Sequence, residues 1–194
     1  MTFVNLYVLI IITIYLAAFF IQNIKTYFSI KQSIRGTSLK LTISLTLSTI
    51  IYLLTFGMLF FPTLEEILVR FSILNTVAFD LLGLVMITLA LFIGLAALYQ
   101  MKNSWRVGIK YHQKTQLVTS GIYSISRNPY FLSYNLLFAG VFLIFPTLTL
   151  LVPVGALIFI FHLMILEEER YLTKVQGEDY VKYKNKTGRY LFGM

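Results

Sequence analysis

The feature that most constrains this chain is a set of four long stretches without a charged residue. These stretches are residues 3–21, 41–61, 81–98 and 131–166. A helix needs about twenty apolar residues to cross the hydrocarbon core of a bilayer, so each of the first three stretches predicts one span. The fourth is too long for a single span, and a turn at Phe145, Pro146 and Thr147 would divide it into two. The sequence therefore predicts an all-α integral membrane protein with five transmembrane helices.

The composition agrees with a membrane protein and excludes several kinds of site. Only 12% of the residues are charged, about half the share in an ordinary soluble domain, whereas 58% are hydrophobic. The chain has no cysteine, which excludes disulfides and thiolate metal ligands. Because His112 and His162 are its only imidazoles, we expect no metal site.

The positive charges predict how the chain is oriented in the membrane. Fifteen of its sixteen Lys and Arg residues lie in three segments, residues 22–40, 99–130 and 167–194. Only Arg70 lies in the connection between the second and third spans. Because lysine and arginine concentrate on the cytoplasmic side of membrane proteins, we expect the N-terminus outside and the C-terminus in the cytoplasm. This topology accounts for the net charge of +8, so no nucleic-acid partner is predicted.

The chain divides into two regions by its polarity. Residues 1–98 contain the first three spans and little else, which is typical of a scaffold. Residues 99–194 contain a polar loop at 99–130, the apolar hairpin at 131–166 and a charged tail at 167–194. We expect the loop and the tail to form a cytosolic cap over the membrane helices and to form the functional site.

Two short motifs in the polar loop are candidates for binding a ligand. The glycine in Thr119-Ser120-Gly121 permits a turn with positive φ or a close backbone approach. Asn128 followed by Pro129 predicts the N-cap and the first residue of the fourth membrane helix. Free N–H groups at such a helix start could bind a carboxylate, although an ordinary turn and a capped helix would give the same pattern.

Three consecutive glutamates, Glu167, Glu168 and Glu169, follow the last apolar span and precede Arg170. Acidic side chains at a helix C-terminus oppose the helix dipole, so a bound cation or ribose hydroxyls could offset their cost. Glu167 and Arg170 are three residues apart and are predicted to pair on a helix. A solvated, charged helix end is the alternative interpretation.

The second half of the chain resembles the isoprenylcysteine carboxyl methyltransferase family. The resemblance rests on Leu117–Tyr123, Arg127-Asn128-Pro129, Glu168-Glu169 and Gly177–Tyr183, in the order and approximate spacing of that family. It covers residues 105–194, and the short five-span form is similar to prokaryotic members, including the archaeal one. The resemblance implies an integral membrane enzyme that uses S-adenosylmethionine, without a Rossmann domain, and releases S-adenosylhomocysteine.

The same resemblance implies a set of cofactor-binding residues. These are Thr115, Gln116, Leu117, Val118, Gly121, Tyr123, Asn128, Pro129, Tyr130, Phe131 and Glu168. A carboxylate suits the cationic sulfonium and amino groups or the ribose hydroxyls of the cofactor. N–H groups at a helix start suit its methionyl carboxylate.

The acceptor implied by the resemblance is the C-terminal α-carboxylate of a prenylated cysteine, a lipidated partner in the bilayer. The candidate catalytic residues are Arg170, which would orient that carboxylate, and its neighbour Glu167. Met164 stands where some relatives have a substrate-binding arginine, and Arg127 and Arg189 are alternatives for this role. Three other functions remain open. They are methylation of a phospholipid amine or another small acceptor, reduction of a membrane enone with a nicotinamide cofactor, and a non-enzymatic role.

Overall fold

The computed structural model describes residues 2–110 and 116–191, which form helices, short 3₁₀ turns and connecting segments, with isolated β-bridges but no strand. The helices of these residues are α1 (Phe3–Ile30), α2 (Leu39–Phe60), α3 (Pro62–Ile67), α4 (Val77–Met101), α5 (Pro129–Ile144), α6 (Leu148–Gln176) and α7 (Glu178–Lys186). The described part of the chain is thus all-helical, as the sequence predicts.

Four of the helices, α1, α2, α4 and α6, are long and apolar enough to cross a bilayer. They contain 28, 22, 25 and 29 residues, respectively. α5 contains 16 residues. At 1.5 Å per residue its length is about 24 Å, less than the roughly 30 Å of the hydrocarbon core. Length therefore supports four of the five predicted spans, and the fifth is a shorter apolar helix.

Polar residues set the starts of three long helices. The side-chain hydroxyls of Thr2, Ser38 and Thr147 accept hydrogen bonds from backbone N–H groups in the first turns of α1, α2 and α6. The predicted turn between α5 and α6 is confirmed, since α5 ends at Ile144 and α6 begins at Leu148.

Backbone hydrogen bonds sort the connecting segments into two opposite ends of the bundle. At one end, residues 34–36 pair with Val107 through two hydrogen bonds. At the other end, residues 69–71 pair in a similar way with residues 146–148. Because the first end has many more Lys and Arg residues, we name it the cation-rich end. The cation-rich end comprises the described residues 31–38, 102–110, 116–128 and 177–191.

α4 and α5 pack closely because glycines lie at their contact. A Cβ atom on Gly83 would approach the carbonyl oxygen of Gly140 to 2.7 Å, and one on Gly140 would approach that of Gly83 to 2.8 Å. α5 lies in the interior of the bundle, where its residues Leu137, Phe138 and Val141 are buried. Since small residues let membrane helices approach each other, this contact positions α5 and the candidate site residues at its start.

Candidate functional site

A cavity of about 450 Å³ lies beside α5 and contains most of the candidate site residues. Helices α1, α2, α5, α6 and α7 contribute to its walls, together with residues 104–110 and 116–118 of the polar loop. Volumes of about 300–1,000 Å³ are typical of sites for small ligands. The lining from α1 is apolar, and α2 adds both apolar residues and the hydroxyls of Ser44, Ser48 and Thr49, which donate to carbonyls of α2 itself. The charged lining residues come from the polar loop and α6.

The apolar arm of the cavity lies between α1 and α2. Its lining includes Leu16, Phe19, Phe20, Leu45, Leu53 and Phe56. Phe20 is 57% exposed and Leu53 is 66% exposed, so this arm reaches the outer surface of the bundle. Such a surface faces lipid chains in a bilayer, which makes the apolar arm suitable for an acyl or prenyl chain.

The polar arm of the cavity lies at the cation-rich end. Glu168 from α6 lines it, together with Tyr123 from the 3₁₀ turn Gly121–Ser124 and with Tyr180 and Tyr183 from α7. Burial and, to a smaller extent, the charge of Glu168 raise the pKa of Tyr123 well above its usual value. Tyr123 is therefore a neutral hydrogen-bonding group. Glu168 is the one carboxylate among the described lining residues.

Three basic residues, Arg106, Lys110 and Arg127, also line the cavity. The Nη1 atom of Arg106 donates to the backbone carbonyls of Asn103 and Trp105, at 2.8 and 2.7 Å. Burial lowers the pKa of Arg106 below its usual value. Because an arginine normally titrates above about pH 12, the side chain remains charged at neutral pH. Arg106 and Lys110 provide positive charge for an anionic group of a ligand.

Aromatic rings from the polar loop and α5 form one wall of the cavity. Trp105 packs edge-on against Tyr130, with 4.6 Å between the ring centroids, and Tyr130 packs edge-on against Tyr134 at 5.0 Å. The indole N–H of Trp105 donates to the side-chain oxygen of Asn23 at 2.7 Å, which fixes the ring. Because the faces of aromatic rings attract cations, this wall suits a ligand with a cationic or planar group.

Gly121 supports the turn that contains Tyr123. Its φ of +60° lies in the left-handed region, and a Cβ atom there would lie 2.3 Å from the Gln100 Nε2 atom. The Oε1 atom of Gln100 accepts a hydrogen bond from the N–H of Ile122 at 2.9 Å. Gly121 itself does not line the cavity. The glycine therefore allows the loop to approach the end of α4.

α5 begins at Pro129, as the sequence predicts, but the Asn128 side chain makes no capping hydrogen bond. Its Nδ2 atom donates instead to Glu169 Oε1 at 3.4 Å and to the backbone carbonyl of Arg189 at 3.2 Å. Asn128 is thus the N-cap residue of α5, as predicted, but a buried carboxylate and a carbonyl near the C-terminus orient its amide away from the helix start. Asn128 joins the start of α5 to α6 and to the C-terminal residues.

Glu169 is buried between two arginines. Its Oε1 atom accepts hydrogen bonds from Nε and Nη2 of Arg127 at 3.1 and 2.8 Å. Its Oε2 atom accepts hydrogen bonds from Nε and Nη2 of Arg189 at 3.2 and 3.0 Å. Arg127 also donates through Nη1 to the carbonyls of Lys184 and Thr187. The two arginines considered as alternatives for binding an acceptor are thus both engaged with Glu169.

The predicted pairing of Glu167 with Arg170 is wrong. Glu167 forms an ion pair with Lys40, at the start of α2, because the packing of α2 on α6 brings this lysine to the glutamate. The Nε atom of Arg170 donates to the carbonyl of Leu166 at 3.2 Å, and the Arg170 side chain is exposed. Neither Glu167 nor Arg170 is among the described lining residues of the cavity.

The cavity brings together nine of the eleven residues that the sequence predicts for the cofactor. These are Gln116, Leu117, Val118, Tyr123, Asn128, Pro129, Tyr130, Phe131 and Glu168. Gly121 lies outside the lining, and Thr115 lies outside the described residues. Sequence reasoning missed Trp105 and Arg106, although a tryptophan and an arginine shortly after a membrane helix were an available signal.

The model of the phospholipid methyltransferase family matches residues 79–179 of this chain. The match begins in α4 and ends in α7, so it includes α5, α6 and the polar loop. No curated protein matches the chain. The matched range covers just over half of the sequence and contains most of the candidate site residues.

Proposed function

Because this chain belongs to the phospholipid methyltransferase family, we propose that it is an integral-membrane methyltransferase that uses S-adenosylmethionine as its methyl donor. One observation carries the proposal. Residues that are distant in the sequence and resemble a known cofactor site, from Gln116 to Glu168, line a single cavity. A nicotinamide-dependent reductase and a non-enzymatic role have no comparable support.

The donor set of the cavity fits this cofactor. The Glu168 carboxylate would bind its cationic groups or its ribose hydroxyls. The N–H groups at the start of α5, after Pro129, would receive its carboxylate. The rings of Trp105 and Tyr130 suit its sulfonium or its adenine. When bound, S-adenosylmethionine supplies an electrophilic methyl group.

The two arms of the cavity support an acceptor that carries a lipid chain. The apolar arm would hold the chain between α1 and α2, while the polar arm holds the methyl donor. The reacting group of the acceptor would then lie near the aromatic wall. Alignment of the two ligands in one cavity is a large part of what an enzyme can contribute to such a transfer.

For the reacting group of the acceptor, we favour the α-carboxylate of a prenylated cysteine. An α-carboxyl group has a pKa of about 3.3–3.7, so this nucleophile is ionised at neutral pH and needs no general base. Arg106 and Lys110, which line the cavity, would orient the carboxylate. Arg170 and Glu167 are not among the described lining residues, so they could act on the acceptor only from outside this lining.

A phospholipid amine is the second candidate acceptor. The description of the matching family favours it, and so does the aromatic wall, because tyrosine and tryptophan rings stabilise ammonium groups. Arg106 and Lys110 would then bind the lipid phosphate. An amine must lose a proton before it attacks a methyl group, so this reaction differs from carboxylate methylation in its dependence on pH.

We further propose that the N-terminus lies outside the cell and that the polar arm opens to the cytoplasm. The support is the excess of Lys and Arg at the cation-rich end. A soluble methyl donor would enter the polar arm from the cytoplasm, and a lipidated acceptor would enter the apolar arm from the bilayer.

Binding of S-adenosylhomocysteine to the purified protein, measured by calorimetry, tests the proposed function. We expect Glu168→Gln to weaken binding by about tenfold or more, because a hydrogen bond to a charged group contributes roughly 1.5–3 kcal/mol. The matched control is Glu178→Gln, since the Glu178 side chain is 92% exposed. Undetectable binding by the wild-type protein, or equal affinities of the two variants, would refute the proposed role of the cavity.

A further inference from the structure

We propose that Glu169 is a positioning residue that shapes the methyl-donor site without touching the ligand. It would hold the C-terminal segment, residues 187–191, and α7 against the start of α5. The identity of the ligand as a methyl donor rests on the proposed function, whereas the contacts that Glu169 makes between α5 and the C-terminal segment do not.

The position of Glu169 separates its role from that of Glu168. Glu168 lines the cavity, whereas Glu169 does not and is only 4% exposed. Successive residues on a helix point about 100° apart, so neighbouring glutamates reach different surroundings. One carboxylate is therefore available to a ligand, and the other is enclosed by protein donors.

The donors of Glu169 come from two segments that are distant in the sequence. Arg127 and Asn128 lie at the start of α5, and Arg189 lies in the C-terminal segment. The hydrogen bonds to Glu169 raise the pKa of Arg189 above its usual value. Without the carboxylate, two guanidinium groups would be left close together with no anion between them, and they would repel each other.

The C-terminal segment makes further contacts with the residues before α5. The N–H of Arg127 donates to the carbonyl of Gly188 at 2.8 Å. The Ser126 hydroxyl donates to the carbonyl of Arg189 at 3.3 Å, and Thr187 donates in the same way to Ser124 at 3.4 Å. These contacts depend on the relative position of the two segments that Glu169 joins.

The same link reaches the cavity through α7. The Tyr183 hydroxyl donates to the backbone carbonyl of Tyr123, and both tyrosines line the polar arm, as does Tyr180. Arg127 donates to the carbonyl of Lys184, which fixes the end of α7. Arg127 and Asn128 line the cavity themselves, so Glu169 bonds directly to two lining residues and is connected to three more through α7. Displacement of the C-terminal segment should therefore move the walls of the polar arm.

The test compares Glu169→Gln with Glu168→Gln, and uses Glu178→Gln as the exposed control. Backbone hydrogen exchange of the ligand-free protein is measured in peptides that cover residues 122–128 and 184–191, and in peptides from α1 and α2. The affinity for S-adenosylhomocysteine is measured in parallel by calorimetry.

We expect Glu169→Gln to accelerate exchange in both site peptides, to leave α1 and α2 unchanged, and to weaken binding by about tenfold. Glu168→Gln should weaken binding with no change in exchange. If Glu169→Gln does not fold, Arg189→Gln tests the same link, since the Arg189 side chain is 33% exposed. Arg189→Lys, which keeps the charge, should restore part of the protection.

Unchanged exchange in residues 122–128 and 184–191 of the Glu169→Gln or Arg189→Gln protein would overturn the inference. Accelerated exchange throughout the bundle would also overturn it, because Glu169 would then stabilise the whole fold. A wild-type protein that does not bind S-adenosylhomocysteine would refute the proposed function, while the exchange data would still decide whether the link exists.

Discussion

Replacing Gly121 by alanine should destabilise the turn that contains Tyr123. A left-handed backbone costs an alanine roughly 1–2 kcal/mol more than a glycine. The new Cβ atom would also lie 2.3–2.5 Å from the carboxamide of Gln100, which must move and release the N–H of Ile122. Loss of that hydrogen bond destabilises the fold by about 0.5–1.5 kcal/mol. The lower conformational entropy of the unfolded alanine variant offsets about 0.4–1 kcal/mol of the total loss. The net expectation is a loss of about 2 kcal/mol.

A double-mutant cycle separates the two causes of this loss. Gln100→Ala removes the hydrogen bond and also makes room for a Cβ atom on residue 121. We therefore expect the double variant Gly121→Ala/Gln100→Ala to be more stable than the sum of the single changes implies. Once Gln100 is alanine, the change at residue 121 costs only the free energy of the left-handed backbone. Additive effects would show that the contact with Gln100 is not what requires a glycine.

The matched control is Gly155→Ala, in the interior of α6. Apart from the neighbouring residues and backbone of α6 itself, no atom lies within 4 Å of a Cβ built on Gly155. Alanine there should stabilise the protein by roughly 0.5–1 kcal/mol, because glycine is unfavourable inside a helix. Denaturation in detergent, followed by circular dichroism, measures all four variants, and binding of S-adenosylhomocysteine shows whether the turn still supports the site. Equal effects of the two glycine substitutions would refute the reasoning.

Three further predictions concern the acceptor and the topology. Arg106→Ala should lower kcat/KM for a prenylcysteine acceptor by about tenfold or more, whereas Arg170→Ala should leave it nearly unchanged. The opposite result would show that Arg170, not Arg106, orients the acceptor. With saturating prenylcysteine, turnover should be nearly flat from about pH 6 to 8, while a log-linear rise with chemistry rate-limiting would favour an amine acceptor. Because the chain has no cysteine, single variants can report its orientation. An impermeant thiol reagent should label Ser72→Cys from outside intact cells and Ser124→Cys only after lysis, and the opposite pattern would invert the topology.

Local sequence patterns predict the long helices and several of their ends. Uncharged stretches locate α1, α2, α4 and α6, because a membrane helix must be apolar over most of its length. The proline and threonine between α5 and α6 locate the hairpin turn. The start of α5 is located by Asn128 and Pro129, which lie before the uncharged stretch.

Nine of the residues that line the cavity could be predicted from a resemblance, but the partners of individual side chains could not. Glu167, Glu168 and Glu169 are identical residues in one run. The resemblance singles out Glu168, but the sequence shows neither the partner of Glu167 nor that of Glu169. In the structure, Glu167 pairs with Lys40, Glu168 lines the cavity and Glu169 binds two arginines. These partners lie 20 to 127 residues away, so only the packing of the helices assigns them.

In the proposed function, the short α5 would let a water-soluble ligand and a lipid chain meet. At about 24 Å, α5 is roughly 6 Å shorter than the hydrocarbon core. In its predicted role as a span, at least one of its ends would therefore lie below the membrane surface unless the bilayer thins. Non-helical backbone is tolerated at that depth only where protein covers it. Protein covers the backbone at both ends of α5. Residues 69–71 pair with the turn that follows α5, and the C-terminal segment pairs with residues 126–128, which precede α5. A recessed start of α5 would place the polar arm near the level of the lipid ester groups. The reacting group of a membrane-bound acceptor could then reach the methyl donor while its chain remains in the bilayer.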